Sequence, residues 1–325
     1  MLPRERAENL RHLEIFDDPW YSTVLSLQST FMTTTNAFWS GRGIPFGMLP
    51  LTTGSISSPM GRGSDSAPVE IQMGGVRTYL ADSMQFGLEY LCRLSSTGAY
   101  YVAPSFRAEV EDQTHLSQFF HSEAELPVTL DELIGTIEEY LLALTTQLAP
   151  LTTGEAGGRR SDVFRSSIPR LSFDEAAERL ADVQGAVRTH PGGWRSISQT
   201  GEHALLDLVG PAVWLTHWDS LAVPFYQAVD EDGKAICADL LLAGVGEVVG
   251  AGQRHATGDA VMKALNDHDV SPDGYSWYIQ MKDHKPMLTS GFGLGVERFF
   301  MWLTGASDIR DFEILVRRYG KNIEP

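Results

Sequence analysis

The residues best suited to chemistry in this chain stand inside apolar runs, where a charge has to be matched. In Ser290-Gly-Phe-Gly-Leu-Gly-Val-Glu-Arg-Phe-Phe-Met-Trp-Leu-Thr-Gly305, Glu297 and Arg298 sit where a glycine-alternating stretch meets an apolar one. A buried arginine there either pairs structurally with its neighbour or faces a ligand anion. In Ala238-Asp-Leu-Leu-Leu-Ala-Gly-Val-Gly-Glu-Val-Val-Gly-Ala-Gly-Gln-Arg254, Asp239 and Glu247 lie on two strand-like runs joined by a turn that can bring them together. Unpaired carboxylates in such surroundings need a cation, and oxygen ligands suit Mg2+ shared with phosphates. The plainer alternative is a pair of strand-end carboxylates near Arg254. Gln85 and Glu89, four positions apart, share one helical face and taken alone read as a solvated polar face.

The elements that must position these groups follow from periodicity. Gly291, Gly293 and Gly295 at alternate positions suit a strand whose backbone something approaches closely. From Leu294 on, Val296, Phe299, Phe300 and Leu303 fall at helical spacing and Gly305 is a natural C-cap, which predicts strand then helix. Leu27, Phe31 and Thr34 line one face of a helix over 24–38, followed by a strand over 48–51 and a Gly/Ser/Thr/Pro loop over 52–68. A short strand runs into a helix over 79–93, and a β-rich run covers 99–109, followed by a polar loop and 115–125. Thr129 with Glu132, and Ser172 with Glu175, are capping boxes that open helices to about Leu148 and Leu180. A loop covers 151–162, and two more helices cover 257–268 and 275–281.

With 325 residues the chain can form one large α/β domain or two smaller ones. Hydrophobic content of 43% and charged content of 21% are those of a globular protein. No apolar run reaches the ~20 residues of a membrane span, and the first residues hold no apolar signal core. Cys92 and Cys237, far apart, exclude a disulfide framework or a Cys-based metal site and fit a reducing cytoplasm. The formal charge is −17, and the basic runs are only Arg159–Arg160 and Arg317–Arg318. A polyanion binder concentrates Lys and Arg, so this balance weighs against a nucleic acid or other polyanion as an unaided partner.

Gly-Phe-Gly-Leu-Gly-Val-Glu-Arg298, with Leu-Thr-Gly305 and Asp-Ile-Arg-Asp311, resembles the third signature motif of class II aminoacyl-tRNA synthetases, most of all the asparaginyl and aspartyl branch. The run ending Phe-Arg-Ala-Glu109, followed by 115–125, resembles the second motif. The 24–38 helix with 48–51 resembles the first, through which such cores dimerise. Gly-Glu-His203, Pro224-Phe-Tyr226 and the 238–254 run follow the same branch. The resemblance implies that Arg107 grips the α-phosphate and the reacting carboxylate, and that Arg298 contacts the nucleotide's phosphates. One planar cation between two anions brought into line lowers their repulsion. It further implies that Glu109 reads adenine, that Phe119 stacks on it, and that His115 and Gly295 border the nucleotide. Gln85 would hold the α-ammonium, Glu89 a side-chain amide, Arg254 the substrate side chain, and Asp239 with Glu247 magnesium. The chain departs from the family at Thr114-His115, where Arg-His is usual, at Gln118, usually Glu, and at Leu288-Thr289, usually Pro-His.

The expected fold is α/β of the α+β kind, a mixed, mainly antiparallel sheet flanked by helices. A lead-in over 1–20 precedes a catalytic domain over 21–325, with no anticodon-binding domain expected. The expected protein is a cytoplasmic homodimer using ATP and Mg2+. It would activate aspartate, asparagine or an analogue as an adenylate and pass it to ammonia or another small nucleophile, with tRNA not expected as a partner. One alternative is an asparaginyl-tRNA ligase, favoured by Glu89. Another is a non-adenylating paralogue that binds a small molecule or partner protein.

Overall fold

The computed structural model describes residues 13–57, 67–152, 160, 162–315, 317 and 319–320. Residues 58–66 of the expected 52–68 loop, most of the 151–162 loop, Arg159, Arg318 and residues 1–12 of the 1–20 lead-in lie outside them.

Helix α1 (Pro19–Ser40) begins earlier than periodicity indicates because Asp18 accepts the Trp20 N–H and Pro19 occupies the first turn. The strand expected over 48–51 does not form. Pro50 lies inside this stretch and Pro45 just before it, and neither has the N–H a ladder needs; just ahead of it Phe46 makes an isolated bridge to Tyr100. The first ladder is β1 (Thr52–Thr53), which joins β2 (Val69–Met73) and β3 (Val76–Leu80) in a small sheet ordered β1-β3-β2. Next come α2 (Gln85–Cys92), β4 (Ala99–Phe106), β5 (Gln118–Leu126) and α3 (Leu130–Leu148), whose Thr129–Glu132 capping box is formed as expected. The middle of the chain holds β6 (Arg170–Ser172), α4 (Phe173–Arg179), the hairpin β7 (Val187–Thr189) and β8 (Arg195–Ile197), α5 (Gln199–Val209) and β9 (Ala212–Thr216). It closes with β10 (Cys237–Leu242), β11 (Gly246–Gln253), α6 (Gly258–Asp267), α7 (Ser276–His284), β12 (Ser290–Gly295) and α8 (Val296–Thr304). Gly305 ends α8 at φ 77°, the left-handed C-cap expected of it.

The central sheet has seven strands in the order β4-β5-β12-β11-β10-β9-β6. Every pairing is antiparallel except β6 with β9. This is the mixed, mainly antiparallel sheet flanked by helices that the sequence implies. One face is sealed by α1, α3 and α8, whose Phe31, Trp39, Tyr140, Phe299 and Phe300 bury against Phe292, Leu240 and Val249 of the sheet. Within that core the Tyr140 hydroxyl lies 2.7 Å from Thr35 Oγ1 and 2.9 Å from Ser122 Oγ, so it is not left unpaired. The other face is covered toward its ends. Phe86 of α2 packs with Phe225, Val261 and Tyr278 at one end, and α4 and α5 pack on Val213, Leu215 and Leu241 at the other. Two cavities open between them. Cys92 and Cys237 are buried and unbridged, and no helix among the described residues is long and apolar enough to cross a membrane.

Candidate active site

The two cavities measure about 640 and 230 Å3 and share Arg107, His121, Glu247 and Gly293 in their linings. The alternate glycines of β12 have a register explanation. Gly291, Gly293 and Gly295 stand opposite Glu125, Glu123 and His121 of β5. A Cβ at Gly291 would collide with the Glu125 carboxylate, and one at Gly293 would come within 3.1 Å of Glu123 Oε1. Glycine therefore makes room for acidic side chains that lean in from the neighbouring strand.

Arg107, Glu109, His115, Phe119, Gly295 and Arg298, all named from sequence, come together around the smaller cavity. The Arg107 guanidinium lies 5.2 Å from the Phe119 ring centroid, and its buried Nε has no hydrogen-bond partner among the described residues. A buried cationic N–H without an acceptor is suited to an incoming anion. Glu297 and Arg298 do not form the ion pair that was one of the sequence alternatives. Glu297 accepts the Phe120 N–H at 3.0 and 3.2 Å, and burial lifts its pKa to about 7. Arg298 instead donates to the carbonyls of Glu247 at 2.9 Å and Thr114 at 3.0 Å, which ties the loop before β5 to the start of β11.

Asp239 and Glu247 meet because of a bulge. Asp239 pairs with Gly250, but the register slips between Leu240 and Leu241, so Leu241 pairs with Glu247. The extra residue turns Glu247 onto the face that Asp239 occupies. A Cβ at Gly250 would lie 3.2 Å from Glu247 Oε1 and 3.7 Å from Asp239 Oδ1. Among the described residues no lysine or arginine forms an ion pair with either of them. Burial, then Glu247 and Glu202, pushes the Asp239 carboxyl well above its ordinary range. Glu202 on α5, which the sequence reading did not single out, is lifted to about 7 by burial and by Glu247. This set of hard oxygens, none of them in an ion pair among the described residues, fits a divalent cation. The described residues hold no cluster of three or more ligand side chains with metal-binding spacing, so phosphate and water oxygens would complete the shell.

The larger cavity places Gln85 beside Glu123, Glu125 and Arg254. The buried Gln85 Nε2 has no partner among the described residues. Glu123 accepts from Ser83 Oγ at 2.7 Å and from the Tyr101 hydroxyl, and burial raises its pKa to about 7. Arg254 donates from Nε and Nη2 to Glu125 at 3.2–3.3 Å and from Nη1 to Gln227 at 3.0 Å. Burial raises Glu125 to about 7 against the pull of Arg254. His121, whose Nδ1 is 2.9 Å from Ser105 Oγ, is pushed down to about 3 by burial and by Arg107, so it is neutral.

Glu89 must be corrected. It is fully buried, and it is not part of the cavity lining. Tyr278 donates to its Oε1 at 2.7 Å and Lys282 pairs with its Oε2, so the carboxylate is turned to these two partners and away from the cavity. The acidic group beside Arg254 is Glu125. Its signal was present as His121-Ser-Glu-Ala-Glu125, three ionisable residues at strand spacing, but the partner strand that gives them meaning is 165 or more positions on.

The model of the family described as tRNA synthetases class II (D, K and N) matches residues 4–318. The chain belongs to that family. Among curated relatives, the asparagine--tRNA ligase of Clostridium kluyveri is 29% identical over 280 residues, covering 81% of this chain and 60% of its own. That of Bacillus cereus is 26% identical over 322 residues, covering 90% and 69%. The chain thus spans 60% of the length of the Clostridium kluyveri relative. Among solved structures, asparaginyl-tRNA synthetase from Pyrococcus horikoshii complexed with asparaginyl-adenylate superposes with a TM-score of 0.84 at 21% identity, over 96% of this chain and 72% of that one. A putative aspartyl-tRNA synthetase from Leishmania major superposes at 0.81 and 16% identity, over 98% and 70%. These structures support the class II synthetase fold. The relatives' names overturn the expected transfer to ammonia or another small nucleophile, and they give no ground for setting tRNA aside. They favour the alternative, an asparaginyl-tRNA ligase.

Proposed function

We propose that this class II synthetase activates asparagine with ATP as asparaginyl adenylate and transfers the asparaginyl group to tRNA. The observation that carries the choice of amino acid is the Glu125–Arg254 pair. A carboxamide needs a donor for its oxygen and an acceptor for its NH2, and Arg254 and Glu125 offer these side by side. An aspartate side chain would set a second negative charge against Glu125.

Gln85 and Glu123 receive the α-ammonium, which leaves the α-carboxylate toward Arg107, the arginine common to both cavities. ATP takes the smaller cavity, its adenine between Phe119 and Glu109, its phosphates against Arg298 and beside His115 and Gly295. A carboxylate oxygen bonds to the α-phosphorus, the α–β bridging P–O bond breaks, and pyrophosphate leaves. Arg107 faces both reacting anions and stabilises the charge that builds between them. Mg2+ held through Asp239 and Glu247 would neutralise phosphate charge when bound. Residues 21–325 act as one catalytic domain, and α1 with the exposed Phe46 and Met48 beyond it forms a homodimer contact. Asparagine-dependent ATP–pyrophosphate exchange followed by charging of tRNA tests this reading. Exchange driven better by aspartate, or adenylate made and never passed to tRNA, would defeat it.

The Glu125 carboxyl, lifted to about 7, gives selectivity a pH dependence. Above that value it is ionised and accepts from the amide NH2. Below it the protonated group loses that role and can donate to a carboxylate instead. The preference for asparagine over aspartate in exchange assays should therefore grow roughly tenfold from about pH 6 to about pH 8. A ratio flat across that range would remove Glu125 from side-chain selection.

A further inference from the structure

The larger cavity extends beyond the amino-acid pocket to the β7–β8 hairpin, where Arg188, His190, Trp194 and Ser196 line it together with Trp218. Register gives this hairpin two faces. Val187 pairs with Ile197, Arg188 with Ser196 and Thr189 with Arg195. Val187 and Ile197 pack into the cluster beneath α4 and α5. Arg195 fastens the ribbon further, donating from N and Nε to Asp219 Oδ2 at 2.8 and 2.9 Å and from Nη2 to Asp174 at 2.6 Å. The hairpin is therefore a fixed mount.

Its other face carries Arg188 and Ser196, with His190 and Trp194 just past the strand ends on the same alternation. The His190 and Trp194 rings stack with centroids 3.6 Å apart and planes 6° from parallel. His190 Nε2 lies 2.7 Å from Ser196 Oγ, which fixes the imidazole. Arg188 makes no ion pair among the described residues, and the buried Trp218 Nε1 has no acceptor among them. A pre-stacked aromatic pair, an unpaired cation and an N–H without an acceptor, all facing one cavity, match one kind of occupant. They offer a π surface for a base, a charge for a phosphate and a donor for a ribose or base oxygen. An amino acid held between Gln85 and Arg254 does not call on them.

We infer that the β7–β8 hairpin is the docking platform for the 3′-terminal nucleotides of the acceptor RNA. This rests on the tRNA reading above and adds where the acceptor is held. The hairpin brings the terminal ribose hydroxyl into the same cavity that holds the amino acid. There the hydroxyl oxygen bonds to the activated carbonyl carbon, the bond from that carbon to the phosphate oxygen breaks, AMP leaves, and the hydroxyl proton passes to solvent.

The test measures fluorescence anisotropy of a labelled short single-stranded RNA ending in cytidine-cytidine-adenosine, against the full chain with ATP and asparagine. Asparagine-dependent pyrophosphate exchange is followed in the same preparations. Trp194→Ala should weaken RNA binding roughly tenfold, as expected for losing one stacked base. Arg188→Ala, an exposed change that does not touch the packed face, should weaken binding and lower its salt slope by about one. In both variants RNA binding should fall much further than exchange does. The inference is overturned if both variants bind RNA as the native chain does, or if the native chain runs exchange without binding RNA. It is also overturned if exchange falls as far as RNA binding, because the hairpin would then serve ATP or the amino acid. Loss of exchange in the native chain would sink the adenylation reading on its own, while the anisotropy would still decide the docking.

Discussion

Arg107→Ala is expected to reduce asparagine-dependent pyrophosphate exchange by about 10²–10³-fold or more in kcat, the loss typical when a preorganised charge at a transition state is removed. The reason is positional. Arg107 borders both cavities, so it is the group able to face the amino-acid carboxylate and the α-phosphate together. Its Nε has no partner and its guanidinium no ion pair among the described residues, so none of these has to break before it can bind an anion. Because the charge it meets grows as the P–O bond forms, kcat should fall further than the KM for ATP rises. Arg107→Lys keeps a charge but loses the planar fork that spans two oxygens, so it should recover only a small part of the rate. An alanine variant whose exchange stays within about tenfold of native would show that Arg298 or the cation carries this load instead.

Local chemistry was legible in the sequence wherever it depended on neighbours in the chain. The strand–helix of β12 and α8, its C-cap at Gly305 and both capping boxes follow from residues a few positions apart. The meaning of the alternate glycines was half legible: close approach was expected, but what approaches is Glu123 and Glu125 of β5, and only strand pairing reveals it. Glu89 failed for the same reason. Its position one turn past Gln85 is a true helical relation, but the residue that fixes its role is Lys282, 193 positions away in sequence. The β7 and β8 strands, three residues each, are too short for alternation to stand out, so the hairpin was passed over. The acceptor was misjudged from net charge. A total of −17 averages over the surface, whereas an acceptor meets only a few local groups, as Arg188 and Trp194 would be in the docking inferred above.

Lys282→Met is expected to destabilise the protein by about 3–5 kcal/mol, the usual effect of stripping one partner from a buried ion pair. Lys282 and Glu89 are both fully buried, and burial, with Arg93 nearby, pushes the lysine pKa down while Glu89 opposes that push. Lys282 also donates to the His255 carbonyl at 2.6 Å, one residue past Arg254. Glu89 sits one helical turn after Gln85. The pair therefore ties the ammonium end of the pocket to its side-chain end. With both charges removed in Glu89→Leu/Lys282→Met, no uncompensated ion remains, and much of the stability should return. The Tyr278 hydroxyl and His255 carbonyl would still lack partners, at roughly 1 kcal/mol or more each, so recovery should be incomplete. Function should not recover with it. Freed of the tie, Gln85 and Arg254 would no longer be held at one spacing, and the double variant should show a raised KM for asparagine with the KM for ATP little changed. Urea unfolding and exchange kinetics on native, single and double variants separate the two effects. If Lys282→Met unfolds at the native urea midpoint, Glu89 does not need its partner and the tie between the two ends of the pocket is not real. If the double variant instead regains both stability and the native KM for asparagine, the pair supports the fold alone.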